Sequence, residues 1–370
     1  MKAIALIPGT KNLRLADIPE PHIQQETEIK ARVLSVGICG TDREEAAGGR
    51  ADAPPGEKEL IIGHEMIGQV TEVGKRVTRV KPGDFAVITV RRGCNACIAC
   101  NAFRSDLCLT GNYTERGIKG RHGFHAEYVV DDEIYAVKVP SGIASIGVLT
   151  EPASVVEKAI EEATKIQLAR LPYLKGDAHW YTGKTAVIAG LGPIGLLAAL
   201  VLALRGAHVL GLDRAPENSL RAELLAQMGG TYINDKNLDP EQFRKTYPDI
   251  KMILDAAGVA RLDFDLLDLL GTNGVFVLTG VPGDQKPTEV DSAKLMRRLV
   301  LKNQVMVGSV NESIDHFVQG LNDFEAAEKK WPGLVQKFIT QRVPFTAFEK
   351  GLSQHTPNEI KVVVDWSKPS

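Results

Sequence analysis

Four cysteines that lie close together form the strongest chemical signal in the sequence. Their spacing is Cys94-x2-Cys97-x2-Cys100-x7-Cys108, so a single loop carries four thiolates. Four thiolates complete a tetrahedral shell around zinc and leave no open position, as in structural zinc sites. An iron–sulfur cluster also takes four thiolates, but this spacing does not match the common ferredoxin run. The sequence therefore predicts a structural zinc site that stabilises its loop and takes no part in catalysis.

A second set of metal-binding residue types is scattered along the chain. Cys39 lies in a Gly-Ile-Cys-Gly-Thr-Asp segment, and His64 and Glu65 are consecutive in a Gly-His-Glu segment. Glu151 precedes a proline at a helical pattern. Each residue alone has an ordinary structural interpretation, as a small buried thiol, a core histidine or an acid at a helix start. Together they offer the thiolate, imidazole and carboxylates that a catalytic zinc uses, and spacing alone leaves both interpretations open.

A glycine-rich turn is the third signal. Residues 190–195 read Gly-Leu-Gly-Pro-Ile-Gly between a β-branched run and a Leu/Ala-rich stretch, a pattern typical of dinucleotide binding at a helix N-terminus. Asp213 ends the next apolar run; its carboxylate suits a ribose 2′-hydroxyl and favours NAD, while Arg214 keeps NADP open. Residues 185–204 carry no charge, but their glycines and proline favour a strand, turn and helix over a membrane span.

The composition bounds the class of protein. The chain has 370 residues, with 44 Lys and Arg against 46 Asp and Glu, for a net charge of −2. This balance argues against a nucleic-acid or anionic-membrane partner bound through bulk charge. The length suits two to three domains of about 150 residues each. Clustered cysteines without a signal-peptide pattern predict a cytoplasmic protein.

The secondary structure that the sequence predicts differs between the first and second halves of the chain. Short β-type runs separated by Gly/Pro turns fill the part up to about residue 140, and a helical pattern follows at 153–167. From residue 185, strands alternate with helical stretches, such as 217–228 and 261–270, which predicts a parallel sheet with crossover helices. A helix near 314–330 and a strand at 360–366 follow. The fold class is α/β.

Together these motifs resemble the zinc-dependent medium-chain alcohol dehydrogenase superfamily and, within it, the archaeal-type glucose dehydrogenases. The segments that carry the resemblance are residues 37–44, 62–65, 91–94, 114–118, 151–152 with 157–158, and 308–311. The resemblance implies a GroES-like β-rich catalytic domain over residues 1–184, with a zinc lobe at about 91–110. It also implies a Rossmann coenzyme domain, a doubly wound parallel sheet, over 185–310. Residues 311–370 would return to the catalytic domain.

The resemblance also assigns site residues. It implies a catalytic zinc held by Cys39, His64, Glu65 and Glu151, so that the chain carries two zinc ions; whether both glutamates bind at once stays open. Thr41 would begin a proton relay. The implied sugar-binding residues are Thr41, Glu115, Glu151 and Asn311. The implied cofactor-binding residues are Gly190, Leu191, Gly192, Pro193, Ile194, Gly195, Asp213, Arg214, Thr279, Gly280, Val281, Ser309, Val310 and Asn311.

The function that the resemblance implies is oxidation of an aldose, above all D-glucose, at C1 to the 1,5-lactone, with hydride transfer to NAD or NADP. A polyol or amino-alcohol dehydrogenase, acting on sorbitol or threonine, is the alternative within the superfamily, and a non-catalytic NAD(P)-binding protein is a third. Relatives can carry Asn in place of Val90 and a polar residue in place of Val155. The expected partners are a sugar and further copies of the chain, in a dimer or tetramer.

Overall fold

A computed structural model describes residues 1–237, 239–283, 287–353, 356 and 358–367. The chain forms two compact units. The first unit comprises Met1–Ser154, Asn311–Glu328 and Val335–Ser370, and the second comprises Val155–Val310 and Lys329–Leu334. This division falls within a long helix. The first strand of the second unit begins at Thr185, the residue from which the sequence predicts alternating strands and helices.

Strands and helices alternate irregularly in the first unit and regularly in the second. The strands are β1 (Lys2–Leu6), β2 (Leu13–Asp17), β3 (Glu28–Ile38), β4 (Leu60–Ile61), β5 (Glu65–Val73), β6 (Phe85–Ile88), β7 (Arg91–Arg92), β8 (Thr114–Arg116), β9 (Gly120–Arg121), β10 (Tyr128–Asp132), β11 (Ala136–Val139), β12 (Thr185–Ala189), β13 (His208–Asp213), β14 (Thr231–Asn234), β15 (Ile250–Asp255), β16 (Leu270–Leu278), β17 (Val305–Gly308), β18 (Ile339–Pro344) and β19 (Lys361–Asp365). The α-helices are α1 (Gly40–Ala46), α2 (Ile98–Asn101), α3 (Thr150–Arg170), α4 (Pro193–Leu204), α5 (Leu220–Gln227), α6 (Pro240–Thr246), α7 (Ala260–Leu267), α8 (Ser292–Leu301), α9 (Ile314–Lys330) and α10 (Phe348–Ser353).

The first unit is built on a seven-stranded sheet with the order β11-β6-β5-β3-β19-β18, in which β10 also pairs with β3. Two three-stranded sheets, β2-β1-β4 and β7-β8-β9, accompany it. Buried Val33 and Val36 of β3 share one apolar core with Val362 and Val364 of β19. The β-branched side chains of both strands suit this packing on a pleated surface. The sheet therefore brings strands from the two ends of the sequence side by side.

The second unit contains a six-stranded parallel sheet in the order β14-β13-β12-β15-β16-β17, which confirms the predicted α/β alternation. Its central strands β12 and β15 are almost continuously apolar and buried, as expected where helices cover both faces of a parallel sheet. Residues 185–204 form β12, a turn and α4, as predicted. In the described part of the chain, no helix combines the length and the apolar character needed to cross a membrane.

Two predicted helices were too long, and the one expected over 217–228 begins at Leu220 and ends at Gln227. The helix expected over 261–270 ends at Leu267, and Leu270 already begins β16. The amide of Leu269 closes a turn on the carbonyl of Leu266, and Leu270 pairs with Ile250 in the sheet. The apolar residues at this junction suit a helix face and a buried strand equally, so periodicity alone did not find the boundary.

Candidate functional site

The scattered candidate metal ligands of the first unit come together at the ends of two neighbouring strands in the middle of its large sheet. Cys39 follows the end of β3, and Glu65 begins β5, which runs antiparallel to β3 with Gly37 opposite Glu65. One ligand atom each from Cys39, His64 and Glu65 lies within 4.8 Å of the others. A Cβ atom at Gly37 would lie 2.0 Å from Oε2 of Glu65. Only glycine therefore leaves room for this carboxylate.

Asp42, in the first turn of α1, fixes two of these residues. Its Oδ2 accepts the backbone N–H of Cys39 at 2.7 Å, and its Oδ1 lies 3.5 Å from Nδ1 of His64. Burial lowers the pKa of His64, but the charges of Asp42 and Cys39 outweigh this and raise it well above its usual value. A buried carboxylate behind a ligand histidine orients the ring and increases its basicity. The sequence analysis did not assign Asp42 this role.

The Cys39 thiol is tuned by the same neighbours. Burial raises its pKa, but a hydrogen bond and the positive charge of His64 more than offset this effect, so that the pKa is lowered overall. The thiolate is the form that binds metals. A thiolate beside a neutral imidazole is a donor set that zinc accepts, so His64 must release its proton when a metal ion binds.

Lys361 provides a cation that sequence reasoning missed. Its Nζ lies 2.7 Å from both carboxylate oxygens of Glu65 and 3.2 Å from the carbonyl oxygen of Ile38. Both side chains are almost fully buried. Burial lowers the pKa of Lys361, but the negative charge of Glu65 outweighs this and raises it. The one signal in the sequence is a lysine that opens the otherwise apolar Lys-Val-Val-Val-Asp strand.

Glu151 and Thr41 lie near this cluster without belonging to the 4.8 Å group. Glu151 is in the first turn of α3. Burial raises its pKa well above the usual range, and the negative charge of Glu312 adds to this. The positive charge of His64 lowers the pKa of this carboxyl group, and the negative charges of Glu65 and Cys39 raise it. Thr41 is half-buried in the first turn of α1. Glu312 is a buried acid that the sequence analysis did not single out.

Two sugar-binding candidates meet although 196 residues separate them. Nδ2 of Asn311 donates to Oε1 of Glu115 at 2.8 Å. Glu115 is buried on β8, and a Cβ atom on the nearby Gly117 would lie only 2.4 Å from the carbonyl oxygen of Gly63. The turn after β8 therefore packs against the backbone just before His64, which brings Glu115 into the neighbourhood of the metal-binding cluster.

The four remaining cysteines form the predicted loop cluster. One sulfur each from Cys94, Cys97, Cys100 and Cys108 lies within 4.8 Å of the others. Burial raises the pKa of Cys100 to about 12, while a hydrogen bond from the Thr110 hydroxyl lowers that of Cys108 to about 5. This loop needs no distant residue to bring its four donors together, in contrast to the first cluster.

In the second unit, the glycine-rich turn joins β12 to α4. Gly190 has a positive φ of 83°, and a Cβ atom at Gly195 would lie 1.8 Å from the carbonyl oxygen of Gly190. Such a turn lets a pyrophosphate approach the backbone at a helix N-terminus. A groove of about 270 Å³ opens here; its lining includes Gly192, Asp213 and Arg214.

The carboxylate of Asp213 is already hydrogen-bonded within this unit. It accepts the backbone N–H groups of Leu191 at 2.7 Å and Ala215 at 2.8 Å, and Nη1 of Arg221 lies 3.2 Å away. The side chain of Arg214 is largely exposed and pairs with Asp235 at 2.9 Å. Asp213 thus supports the glycine-rich turn as well as facing the groove.

The other residues assigned to the cofactor follow the carboxyl ends of β16 and β17, at the edge of the sheet where β12 and β13 also end. The amides of Thr279 and Gly280 bond to the carbonyl oxygen of Asp255, and that of Ser309 bonds to Leu278. Nζ of the buried Lys158 donates to the carbonyl oxygen of Val310 at 2.8 Å. In open α/β sheets this edge is the one at which ligands bind.

Comparison with known proteins defines the family. Residues 25–141 match the model of the alcohol dehydrogenase GroES-like domain, and residues 144–366 match that of the glucose dehydrogenase C-terminus. The chain is 36% identical over 367 residues to glucose 1-dehydrogenase of Methanocella arvoryzae, covering 99% of each chain. The chain therefore belongs to the zinc-type medium-chain alcohol dehydrogenase family, as its motifs indicated.

Two further comparisons cover the whole chain. Glucose 1-dehydrogenase of Thermoproteus tenax is 36% identical over 368 residues, covering 98% of this chain and 99% of the relative. The solved structure of Haloferax mediterranei glucose dehydrogenase in complex with NADP, Zn and gluconolactone is 30% identical, with a TM-score of 0.87 and coverage of 100% of both chains. Within the family, this chain is thus similar to glucose dehydrogenases along its entire described length.

Proposed function

We propose that this protein is a zinc-dependent glucose 1-dehydrogenase, which oxidises D-glucose at C1 to the 1,5-lactone and transfers the hydride to NAD or NADP. The observation that carries the proposal is the Cys39–His64–Glu65 cluster, in which His64 and Glu65 are buried, with Glu115 and Asn311 near it in the same unit. Full-length similarity to glucose 1-dehydrogenases supports the substrate class. The solved complex of one relative with NADP, Zn and gluconolactone supports the cofactors and the product.

Cys39, His64 and Glu65, with Glu151 beside them, would hold the catalytic zinc. Their donor set fits zinc, because it combines a thiolate favoured by its surroundings, an imidazole oriented by Asp42 and buried carboxylates. Bound zinc supplies Lewis-acid chemistry, which lowers the pKa of a coordinated hydroxyl group. Cys94, Cys97, Cys100 and Cys108 would hold the second, structural zinc.

The chain's own polar residues would bind the sugar and move its proton. Oxidation removes a hydride from C1, which goes to the nicotinamide, and a proton from the C1 hydroxyl, which must reach solvent. Thr41, two residues after Cys39, is the candidate to accept that proton and pass it on. Glu115 and Asn311 would bind the sugar hydroxyls, which are costly to bury without partners.

Thr41→Ala tests the relay separately from sugar binding. Removal of a positioned proton acceptor is expected to lower kcat by about 10²-fold, a larger effect than the rise in KM from the lost contact between Thr41 and the sugar. Thr41→Ser is the matched control, because it keeps the hydroxyl group and should keep most of the activity. If the Thr41→Ala enzyme keeps its full kcat, Thr41 is not part of the relay.

The glycine-rich turn and the edge of the parallel sheet in the second unit would bind the dinucleotide. Backbone N–H groups at the start of α4 suit the pyrophosphate. Asp213 is the residue that favours NAD, and Arg214, with its exposed guanidinium, is the one that would accept a 2′-phosphate. The preference for NAD stays a prediction, which the ratio of rates with the two cofactors decides.

The proposed activity is tested by initial rates of nicotinamide reduction. D-Glucose, D-xylose, D-galactose, sorbitol and L-threonine are each supplied with NAD and with NADP, with and without a chelator. Chelator-sensitive oxidation of glucose is the expected result. Turnover of sorbitol or threonine with no activity on any aldose would replace the glucose assignment by the polyol or amino-alcohol alternative. Absence of turnover with all five would contradict a catalytic role.

We also propose that the protein forms a homo-oligomer, either a dimer or a tetramer. Met296, Val300 and Leu301 on α8 are apolar side chains that are each at least 66% exposed, as is typical of surfaces that another chain covers. Light scattering coupled to size-exclusion chromatography gives the mass directly. A cytoplasmic location is in keeping with four clustered thiols, which reducing conditions preserve for metal binding.

A further inference from the structure

Arg91 is a buried cation on β7 that has three separate anchors. Its Nε and Nη2 donate to Oε1 of Glu115 at 3.2 and 2.9 Å, and its Nη1 donates to the backbone carbonyl of Asp106 at 3.2 Å. The guanidinium group lies 3.7 Å from the ring centroid of Tyr113. Because a guanidinium group is planar and its donors are fixed relative to one another, these contacts define a single orientation.

The two carboxylate oxygens of Glu115 are therefore not equivalent. Oε1 accepts two N–H groups from Arg91 and one from Asn311. Among the residues that the structure describes, no donor bonds to Oε2. A carboxylate has about two acceptor sites on each oxygen, so Oε1 is fully used. Oε2 is left with its acceptor capacity available for a ligand.

We propose that Arg91 is a positioning residue for sugar binding, which acts through Glu115. By occupying Oε1 it holds the carboxylate in one orientation and leaves Oε2 as the acceptor for a sugar hydroxyl. The inference rests on the proposed function, because it takes Glu115 to be a sugar-binding residue. Arg91 itself need not touch the sugar: Oε1 of Glu115 binds Arg91, and Oε2 binds the sugar hydroxyl.

Arg91 also connects the sugar-binding candidate to the cysteine loop. Asp106, whose carbonyl oxygen anchors Nη1, lies between Cys100 and Cys108 in the sequence. The position of this carbonyl depends on the fold of the loop. The orientation of Glu115 therefore depends on the loop through one side chain, although the loop contributes none of the proposed sugar-binding residues.

The next residue, Arg92, is buried to the same extent as Arg91 but contacts no proposed sugar-binding residue among those that the structure describes. Its guanidinium lies 3.7 Å from the ring centroid of Tyr135, and it pairs with Asp131. Both oxygens of Asp131 are taken, because Arg116 and Arg121 also bond to it. The carboxylate beside Arg92 thus has no free oxygen, whereas the carboxylate beside Arg91 keeps one oxygen, Oε2, without a donor among the described residues.

This contrast provides a matched pair of variants, Arg91→Lys and Arg92→Lys. Each keeps the positive charge and removes the planar donor pattern. The readouts are the melting temperature, zinc content, KM and kcat for glucose, and the Kd for glucose by calorimetry without cofactor. Arg91→Lys is expected to raise Kd and KM about tenfold, the cost of losing one hydrogen bond to a charged group. Arg92→Lys is expected to lower the melting temperature without changing Kd or KM.

Glu115→Gln supplies a second test, which does not require the Arg91 variant to fold. Arg91 and Asn311 offer only donors, so the side-chain carbonyl of glutamine must face them and its amide group must replace Oε2. This change is expected to raise the sugar Kd about tenfold. Adding Arg91→Lys to Glu115→Gln should cost much less than a second factor of ten, because both act on one acceptor.

The outcomes separate this inference from the proposed function. If the wild type oxidises glucose while Arg91→Lys and Glu115→Gln bind it as the wild type does, with two zinc ions retained, the positioning role is wrong and the proposed function stands. Fully additive effects in the double variant would also overturn it. If the wild type oxidises no aldose, the proposed function fails, and the inference fails with it.

Discussion

The two clusters of candidate metal ligands in this protein are assembled in opposite ways. The cysteine loop draws four identical donors from residues 94–108. The second cluster draws Cys39 from the end of β3 and His64 and Glu65 from the start of β5, and Lys361 of β19 balances it from 296 residues beyond Glu65. Local spacing thus specifies the first cluster, whereas strand order and register specify the second.

The clusters also differ in their surroundings. In the loop, Cys97 alone of the four is buried, and the thiols lie near the surface. In the second cluster His64, Glu65, Asp42 and Lys361 are all buried. Buried charges need partners, and here the ammonium group of Lys361 pairs with Glu65 and His64 lies beside Asp42. We therefore expect that disturbing the loop affects mainly stability, and that disturbing the second cluster affects catalysis and stability together.

The largest expected effect comes from Cys39→Ala. Loss of a metal ligand should remove the zinc and with it several kcal/mol of transition-state stabilisation, so kcat/KM should fall by on the order of 10³-fold. Metal analysis should give one zinc ion per chain in place of two. A variant that keeps two zinc ions and near-normal turnover would show that Cys39 is not a ligand.

The next effect is on stability, through Lys361→Met. In the metal-free protein, this change leaves the carboxylate of Glu65 buried without a cation, which should lower the free energy of unfolding by about 3 kcal/mol in chemical denaturation. Lys2→Met is the control, because Lys2 pairs with Asp17 at a similar distance, 2.8 Å, at the exposed surface, where such pairs contribute less than about 1 kcal/mol. Adding Glu65→Gln to Lys361→Met should recover part of the loss. Equal costs for both lysines would contradict the assigned role of Lys361.

Cys100→Ala should have a smaller effect on catalysis than Cys39→Ala. It too should reduce zinc from two ions to one, and it should lower the melting temperature because the loop loses its cross-link. The KM for glucose should rise about tenfold through the Asp106–Arg91–Glu115 contacts, with kcat less affected. If Cys100→Ala stays folded and loses turnover as completely as Cys39→Ala, the division of roles between the clusters is wrong.

The smallest effect on catalysis is expected from a third charged cluster, formed by Asp131 and three arginines, whose influence is on stability in acid. Burial raises the pKa of Asp131, but Arg116, Arg92 and Arg121 outweigh this and hold it well below its usual range. The folded-state pKa thus lies below the unfolded value of about 3.9, so the carboxylate contributes stability above about pH 4 and loses it as the pH falls further. Asp131→Asn should reduce stability at pH 7, and its difference from the wild type should narrow below about pH 4.

Measuring the stability of the wild type and of Asp131→Asn across the same pH range with a chelator separates the acid sensitivity of the metal sites from that of Asp131. Metal sites release zinc when protons compete for their ligands, so the acid sensitivity that belongs to them should disappear once zinc has been removed. The Asp131 contribution should persist in the metal-free protein. If it disappeared as well, the arginine cluster would have to depend on one of the metal sites.

Sequence reasoning found the features that neighbouring residues determine. The cysteine spacing, the glycine-rich turn, α9 and the alternating strands and helices of the second unit are all of this kind. It missed Asp42, Lys361 and Glu312, whose roles depend on which strands and helices meet. The insertion of β19 between β3 and β18 is a long-range pairing, and no local pattern in Lys-Val-Val-Val-Asp specifies its neighbours.

The position of Lys361 has a consequence for the order in which the protein is made. Chains are synthesised from the N-terminus at about 5–20 residues per second, so Glu65 precedes its cation by roughly 15–60 s. During that interval β3 has no β19 beside it, and the carboxylate of Glu65 lacks the ammonium group that later neutralises it. The nascent first unit therefore carries an uncompensated acid in its central sheet until β19 emerges from the ribosome.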